Sequence, residues 1–329
     1  MPVGIIWCPH CGQPHPLGTS ICPTSARSLE RGVHASKPSE HRLIGTTVAG
    51  KYAIRRLIGQ GGMGTVFEAE NLMLRRMVAL KVVNGAASLE ARERLEREAI
   101  IVASVQHPNI CDLYDFGTMP DDTPYMVMER LFGETLMQLM RRRRDIPLTS
   151  VVDIFAQILS GLQAAHGAHI VHRDLKPANV FLVDRLGLTP LAKIVDFGFA
   201  KDVSGARTRT ITKPGKVLGT VQYMSPEQLR CDPIDARADL FAVGLMLYEA
   251  LAGQHAYPIE HVMELQRRIL LEMPPPPSSL RQGLPAGFDT IVMRALAKEP
   301  TARWQNALEM QRALLGVLGP ITPSSPPPL

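Results

Sequence analysis

The chain has 329 residues, of which 45% are hydrophobic and 20% are charged. That balance predicts a folded chain long enough for more than one core, and it excludes an intrinsically disordered protein. The formal net charge of +5 comes from 36 basic and 31 acidic residues that are mixed along the chain, so the composition does not indicate a nucleic-acid partner.

The five cysteines do not form the even, regularly spaced set of a disulfide framework. Three lie in the first 25 residues, whereas Cys111 and Cys231 are solitary, and this pattern favours a reducing compartment. We find no signal peptide, and the longest apolar segment, residues 240–252, is too short to span a membrane. We therefore expect a cytoplasmic protein with no membrane span, and we interpret residues 240–252 as a buried helix.

The first 25 residues carry Cys8 and Cys11 in a CxxC turn, which directs two thiolates to one point, and Cys22 adds a third. A complete zinc ribbon would have a fourth cysteine where this chain has Ser25, so residues 1–25 resemble a degenerate zinc ribbon. Candidates for a fourth Zn²⁺ ligand are His10, His15 and His34. The alternative is a tail whose cysteines bind no metal. Residues 26–51 are polar and mixed in charge, which predicts a linker.

From Tyr52 onwards, short alternating segments predict strands. Residues 59–66 read GxGxxGxV and lie between two predicted strands, which favours a hairpin over a triphosphate rather than a dinucleotide-binding fold. Glycines let backbone N–H groups approach phosphate oxygens. A further strand ends in Lys81, which we interpret as a phosphate ligand rather than a solvated surface lysine. The segment 89–104 predicts a charged amphipathic helix, which carries Glu98.

Strands at 111–116 and 125–128 lead to a Met-Glu-Arg-Leu segment at 128–131. The helix that follows ends in four arginines, residues 141–144, which we interpret as a solvated helix end rather than a site for an acidic partner. A helix at 150–168 repeats its apolar residues about every 3.6 positions and leads into the segment 172–179. A short strand at 192–195 is followed by Asp196.

The segment 172–179 reads His-Arg-Asp-Leu-Lys-Pro-Ala-Asn, and it places an acid, a lysine and an amide at fixed offsets. Phosphoryl transfer to a hydroxyl needs a carboxylate near that hydroxyl, and an acid and an amide oxygen to hold Mg²⁺ against the phosphates. A polar loop follows to about residue 217. The remaining pattern predicts an apolar helix at 236–253, helices at 289–297 and 303–315, and a disordered Pro/Ser-rich tail at 316–329.

These motifs occur in the order that protein kinases use, so residues 52–315 resemble the catalytic domain of a bacterial Hanks-type serine/threonine protein kinase. The resemblance implies an α+β fold of two lobes, a β-rich N-lobe at 52–128 and a mainly helical C-lobe at 132–315. It also implies ATP and Mg²⁺, with Mn²⁺ as an alternative metal, and protein substrates that bear serine or threonine.

The resemblance further implies a role for each motif residue. Asp174 accepts the proton of the substrate hydroxyl, and Lys176 stabilises the transferred phosphoryl group. Lys81, positioned by Glu98, binds the α- and β-phosphates. The Mg²⁺ ligands are Asn179 and Asp196. The residues expected around the nucleotide are Ile58, Gly59, Gly61, Gly64, Val66, Ala79, Met128, Glu129, Leu131 and Phe181.

Arg173, next to the catalytic acid, suggests control by phosphorylation of the loop that follows, because a phosphothreonine could pair with it. The candidate autophosphorylation sites are Thr208, Thr210 and Thr212, and a homodimer in which one chain phosphorylates the other is compatible with this scheme. Asp239 and a Glu227–Arg303 pair are expected to stabilise the C-lobe. One alternative is a pseudokinase scaffold, which the presence of the motif acids and lysine disfavours; another places the main function in a zinc-binding head.

Overall fold

The computed structural model describes residues 5–7, 14–16, 43–61, 64–83, 89–143, 145–197, 221–258 and 261–319. Near the N-terminus, strand β1 (Ile5–Trp7) pairs antiparallel with β2 (Pro14–Pro16). The rest of the described chain forms two lobes. The predicted tail at 316–329 lies outside the described residues from residue 320 onwards.

The N-lobe is a six-stranded antiparallel sheet with one helix. Its elements are β3 (Thr47–Val48), β4 (Tyr52–Gln60), β5 (Gly64–Asn71), β6 (Arg76–Val83), α1 (Leu89–Ala103), β7 (Leu113–Thr118) and β8 (Pro124–Glu129). The strand order is β3-β4-β5-β6-β8-β7. Alternate residues of β4 and β5, among them Ile54, Phe67 and Ala69, are buried in one core, as the period of two along a strand requires.

The C-lobe is mainly helical and begins with a small sheet at the junction of the lobes. The sheet has the order β11-β10-β9, formed by β9 (Gly133–Thr135), β10 (Val180–Val183) and β11 (Leu191–Ile194). The helices are α2 (Leu136–Arg142), α3 (Leu148–Gly167), α4 (Pro226–Arg230), α5 (Arg237–Ala252), α6 (Val262–Leu271), α7 (Ala286–Ala295) and α8 (Ala307–Gly316). Thirteen of the sixteen residues of α5 are buried, so it is the central helix that the apolar sequence at 236–253 predicts.

Among the described residues, α3 is the one helix that is long and apolar enough to cross a membrane by length and composition. Its mean hydropathy is 1.3 over the best window, but 56% of that window is buried inside the protein. Its apolar face, including Ile154, Ile158 and Leu162, belongs to the C-lobe core. These contacts are those of a core helix in a folded lobe.

One predicted boundary needs correction, because the folded lobe begins before residue 52. Thr47 and Val48 pair with β4, and Gly45 N–H donates to the carbonyl oxygen of Ile54 at 2.9 Å. Val48 is buried in the N-lobe core. The last part of the predicted linker at 26–51 is therefore an edge strand, too short at two residues to give a visible alternating pattern.

Candidate active site

A cleft of about 940 Å³ lies between the lobes. It is lined by residues of β4, β5 and β6, by the segment 128–133, and by residues in and next to the small sheet β11-β10-β9. Every residue predicted to surround the nucleotide lines it, namely Ile58, Gly59, Gly61, Gly64, Val66, Ala79, Met128, Glu129, Leu131 and Phe181. Lys81, Lys176, Asn179 and Asp196 line the same cleft. The cleft therefore brings together residues that are more than a hundred positions apart in the sequence.

The glycines of the β4–β5 hairpin serve two different purposes. A Cβ atom on Gly64 would lie 2.2 Å from the carbonyl oxygen of Val82, so glycine is required there for β5 to pair with β6. A Cβ atom on Gly61 would meet no atom within 4 Å. The space beside Gly61 thus stays open for a ligand, while its backbone N–H donates to the carbonyl oxygen of Gly64 at 2.9 Å.

Lys81 extends from β6 across the cleft to Asp196. Its Nζ lies 2.6 Å from Asp196 Oδ1, and the lysine side chain is only 9% exposed. Asp196 has a φ of 57°, in the left-handed region that a non-glycine residue seldom adopts, so its neighbours must hold it in place. Glu98 lies on α1, but its side chain is outside the described residues, so its predicted pairing with Lys81 stays a prediction.

Asp174 is buried among the side chains of its own segment, next to Lys176 and Asn179, which line the cleft; Asp174 is not itself among the described residues that line it. Lys176 Nζ lies 2.7 Å from Asp174 Oδ2. The Nδ2 atom of Asn179 donates to the Asp174 carbonyl oxygen at 2.9 Å. A 3-10 turn at Pro177–Asn179 produces this closeness. The Asp174 carboxylate therefore lies next to the Lys176 ammonium group, as proton acceptance next to a charged phosphoryl group requires.

Asp239 on α5 supports this segment from below. Its carboxylate accepts the backbone N–H groups of His172 at 2.8 Å and Arg173 at 3.0 Å, and its Oδ2 lies 2.8 Å from His166 Nε2. Burial alone would raise the pKa of Asp239, but His166 and the His172 N–H outweigh it and hold the pKa below its ordinary value. Arg173 has a φ of 63°, and these hydrogen bonds hold its backbone in that uncommon conformation.

The donor atoms of the cleft fit a hard divalent cation. The amide nitrogen of Asn179 donates to Asp174, which leaves the amide oxygen to bind a ligand. Asp196 adds a carboxylate. Mg²⁺ prefers one or two such protein oxygens together with phosphate oxygens. In the described part of the chain, no group of three or more His, Cys, Asp or Glu side chains forms a metal site. Cys8, Cys11 and Cys22, like Thr208, Thr210 and Thr212, lie outside the described residues.

Two ion pairs around the connection between the lobes were not predicted. Lys193 on β11 contacts Glu129, and Arg130 contacts Glu68 on β5. Glu129 was predicted to lie near the nucleotide, but no ion pair of its side chain was predicted. A signal was present for Lys193, because a lysine in the otherwise apolar strand Leu191–Ile194 needs a partner if it is buried. No comparable signal marks Glu68, because its neighbours in β5 show the ordinary alternation of a strand with one buried face.

Comparison with known proteins agrees with this geometry. The family model described as "Protein kinase domain" matches residues 52–313. The serine/threonine-protein kinase pkn3 of Myxococcus xanthus is 36% identical over 285 residues, which cover 85% of this chain and 52% of that protein. The serine/threonine-protein kinase PknB of Mycobacterium leprae is 34% identical over 281 residues, which cover 84% of this chain and 44% of that protein. The chain thus spans about half the length of these relatives.

Solved structures show the same architecture. The crystal structure of the PknI kinase domain from Mycobacterium tuberculosis superposes with a TM-score of 0.67 at 28% sequence identity. The match covers 84% of this chain and 98% of that one. The predicted α+β fold of two lobes is confirmed.

Proposed function

Because the chain belongs to the protein kinase domain family, we propose that it transfers the γ-phosphoryl group of ATP to serine or threonine hydroxyl groups of proteins. Membership of this family implies the use of ATP and Mg²⁺. The observation that carries the proposal is the 2.6 Å contact between Lys81 and Asp196 across a cleft that Asn179 and Lys176 also line. The names of the relatives, serine/threonine-protein kinases, support the class of substrate.

In this proposal each residue acts where the cleft places it. Lys81 binds the α- and β-phosphates, and the glycines of the β4–β5 hairpin cover the triphosphate. The adenine ring lies between Val66, Ala79 and Phe181, with backbone groups of Glu129 and Leu131 at its edge. Asn179 and Asp196 would hold Mg²⁺, which neutralises phosphate charge when bound.

The reaction needs one bond to form and one to break. The substrate hydroxyl oxygen attacks the γ-phosphorus, the bond from that phosphorus to the β–γ bridging oxygen breaks, and ADP leaves. The hydroxyl proton passes to the Asp174 carboxylate. Lys176, 2.7 Å from that carboxylate, lies where it stabilises charge on the transferred phosphoryl group. A pseudokinase that lacked one of these groups would lose a step, but Lys81, Asp174 and Asp196 are all present.

A turnover assay with MgATP and a generic basic protein tests the proposal. We expect phosphate incorporation by the wild-type chain, and a loss of at least about 100-fold in Asp174→Asn, which keeps the size of the side chain but cannot accept the proton. Asp174→Asn should still bind MgATP. Equal incorporation by the two proteins would leave Asp174 with no catalytic role, and absence of incorporation in both would favour the pseudokinase.

Autophosphorylation at Thr208, Thr210 or Thr212, between two chains in a homodimer, is part of the same proposal. The conformation of the Arg173 backbone is fixed by Asp239 and by Gln228, whose Nε2 donates to the Arg173 carbonyl oxygen at 2.7 Å. A phosphothreonine that pairs with Arg173 would thus be tied to the catalytic segment. Intact-mass analysis after incubation with MgATP should show added phosphate, and an unchanged mass would contradict this part of the proposal.

We also propose that the N-terminal segment binds Zn²⁺ through Cys8, Cys11, Cys22 and a histidine. The pairing of Trp7 with Pro14 supports this, because the paired strands β1 and β2 flank the CxxC segment in the sequence, as the two strands of a metal-binding hairpin would. The full chain should hold about one Zn²⁺ by elemental analysis, and Cys8→Ser should lose it. Less than about a tenth of an equivalent of Zn²⁺ in the wild type would contradict the site.

A cytoplasmic location stays a prediction from the cysteine pattern.

A further inference from the structure

A buried ion pair connects the end of β8 to the strand that leads to Asp196. Lys193 Nζ lies 2.5 Å from Glu129 Oε1, with side chains that are 10% and 16% exposed. The same Oε1 accepts the N–H of Asp112 at 2.9 Å, and Nζ also donates to the carbonyl oxygen of Ile110 at 3.2 Å. Three segments of chain therefore meet at this pair.

Lys193 stands three residues before Asp196. Between them, Val195 N–H donates to the carbonyl oxygen of Asn179 at 2.9 Å. The positions of both candidate metal ligands, Asn179 and Asp196, therefore depend on the end of β11. Asp196 keeps its uncommon left-handed backbone only if that end is held. A shift of β11 would move the carboxylate of Asp196 and the amide of Asn179 together.

Lys193 itself is not among the described residues that line the cleft, whereas Glu129 and Asp196 are. It has no direct access to the nucleotide and can affect the reaction only through its neighbours. We propose that Lys193 is a positioning residue, whose ion pair with Glu129 holds β11 so that Asp196 and Asn179 present their oxygens to the cation that accompanies ATP. This inference rests on the proposed function, and it adds a residue that no kinase motif of the sequence includes.

A second ion pair at the same junction provides a matched control. Arg130 Nε lies 2.8 Å from Glu68 Oε2, and Glu68 also binds Arg56 at 2.7 Å. This cluster joins the connection between the lobes to β5 and β4 through Glu68, and none of its three residues belongs to β11. Breaking it removes charge from the same junction without releasing the strand that carries the metal ligands.

The experiment measures binding of the fluorescent nucleotide mant-ATP to the full chain as free Mg²⁺ is varied. In Lys193→Met we expect the half-saturating Mg²⁺ concentration to rise by about 10-fold or more, as is common when a group that orients a metal ligand is removed. Affinity for mant-ATP without metal should stay within about twofold, because the adenine pocket is intact. Glu68→Gln should keep the wild-type Mg²⁺ dependence.

Glu129→Gln should shift the Mg²⁺ midpoint in the same direction, and the double variant should be no worse than Lys193→Met, because the two residues act as one unit. Thermal melting shows whether each variant folds. If Lys193→Met does not fold, the Mg²⁺ midpoint of Glu129→Gln tests the proposal instead. An unchanged Mg²⁺ midpoint in a folded variant overturns the proposal, as does an equal loss of metal-free affinity. The readout needs no turnover, so a wild type that binds MgATP but transfers no phosphate would overturn the proposed function alone.

Discussion

The side chain of Arg303 is fully buried, yet each of its five N–H donors has a partner. Two donate to the Glu227 carboxylate at 2.7 Å, and the others to the carbonyl oxygens of Ala297, Lys298 and Arg237. Burial alone would raise the pKa of Glu227, but Arg303 outweighs it and lowers the pKa. Removal of one partner leaves a buried charge without compensation, and such a change costs about 3–5 kcal/mol.

We therefore expect Arg303→Met to lower the free energy of unfolding by about 3–5 kcal/mol, measured by urea denaturation. The control is Arg267→Met, which removes an exposed arginine that pairs with Glu264 and Glu272 on the surface, and it should leave the free energy of unfolding close to that of the wild type. Similar losses in the two variants would contradict the assignment of the buried pair as a main support of the C-lobe.

At the residue scale, the sequence allowed prediction of side chains that belong to motifs. The Glu227–Arg303 pair and the structural role of Asp239 followed from the resemblance, and their contacts are present. Glu68 was missed because it is an ordinary charged residue in a strand. Lys193 was missed because its place in an apolar strand signals a buried partner but does not indicate which residue lies opposite in space. Pairing across chain segments is a property of the folded lobes that residue spacing alone does not reveal.

At the scale of elements, the β4–β5 hairpin separates packing from ligand binding. We expect Gly64→Ala to destabilise the N-lobe by about 1–3 kcal/mol, because the new Cβ would overlap the Val82 carbonyl oxygen and force β5 away from β6. Gly61→Ala meets no atom and should change stability by less than about 0.5 kcal/mol, while it weakens binding of ATP by crowding the phosphates.

Thermal unfolding without nucleotide and equilibrium binding of ATP distinguish the two effects. Gly64→Ala should lower the melting temperature, and Gly61→Ala should raise the Kd for ATP at an unchanged melting temperature. Equal destabilisation by the two substitutions would show that the glycines share one structural purpose, contrary to the contacts described above.

Element boundaries show where local signals suffice. The predicted helix at 303–315 begins instead with Ala307, because the Asn306 side chain caps it by accepting the Glu309 N–H at 2.8 Å. Arg303 cannot lie on the surface of that helix, since its guanidinium is buried against Glu227. An Asn three residues before an acid is a recognised capping signal, so the start of α8 was predictable from the sequence. Strand β3 was not, because its two residues carry no period.

For the whole molecule, the two lobes and the cleft between them were predictable because six motifs fix residues that must meet around one ligand. The depth of burial of individual charges was not predictable. Lys298 shows this: its Nζ donates to Tyr257 Oη and to the carbonyl oxygen of Ile269, each at 2.7 Å, inside the C-lobe. Burial, and then the nearby Arg303, lower the pKa of Lys298 from 10.5 to about 8.

That shift makes the contribution of Lys298 to stability depend on pH. Between about pH 8 and 10.5 the unfolded chain binds a proton at Lys298 that the folded chain has released, so the contribution of Lys298 to the free energy of unfolding rises with pH in this range. Below pH 8 Lys298 is protonated in both the folded and the unfolded chain, so the full cost of burying its charge lowers the free energy of unfolding. Tyrosines begin to ionise in the unfolded chain near about pH 10, which limits the useful window to about pH 8–9.5.

We expect the wild type to gain stability relative to Lys298→Met as the pH rises from about 7.5 to 9.5, by a fraction of the ~1.4 kcal/mol per pH unit that a full proton difference would give. Methionine keeps the length of the side chain but has no proton to lose, so the comparison isolates this one group from the histidines and carboxylates that both proteins share. Urea denaturation at several pH values measures the difference. Parallel stability curves for the two proteins would mean that Lys298 keeps its ordinary pKa, and hence that water reaches its ammonium group in the folded C-lobe.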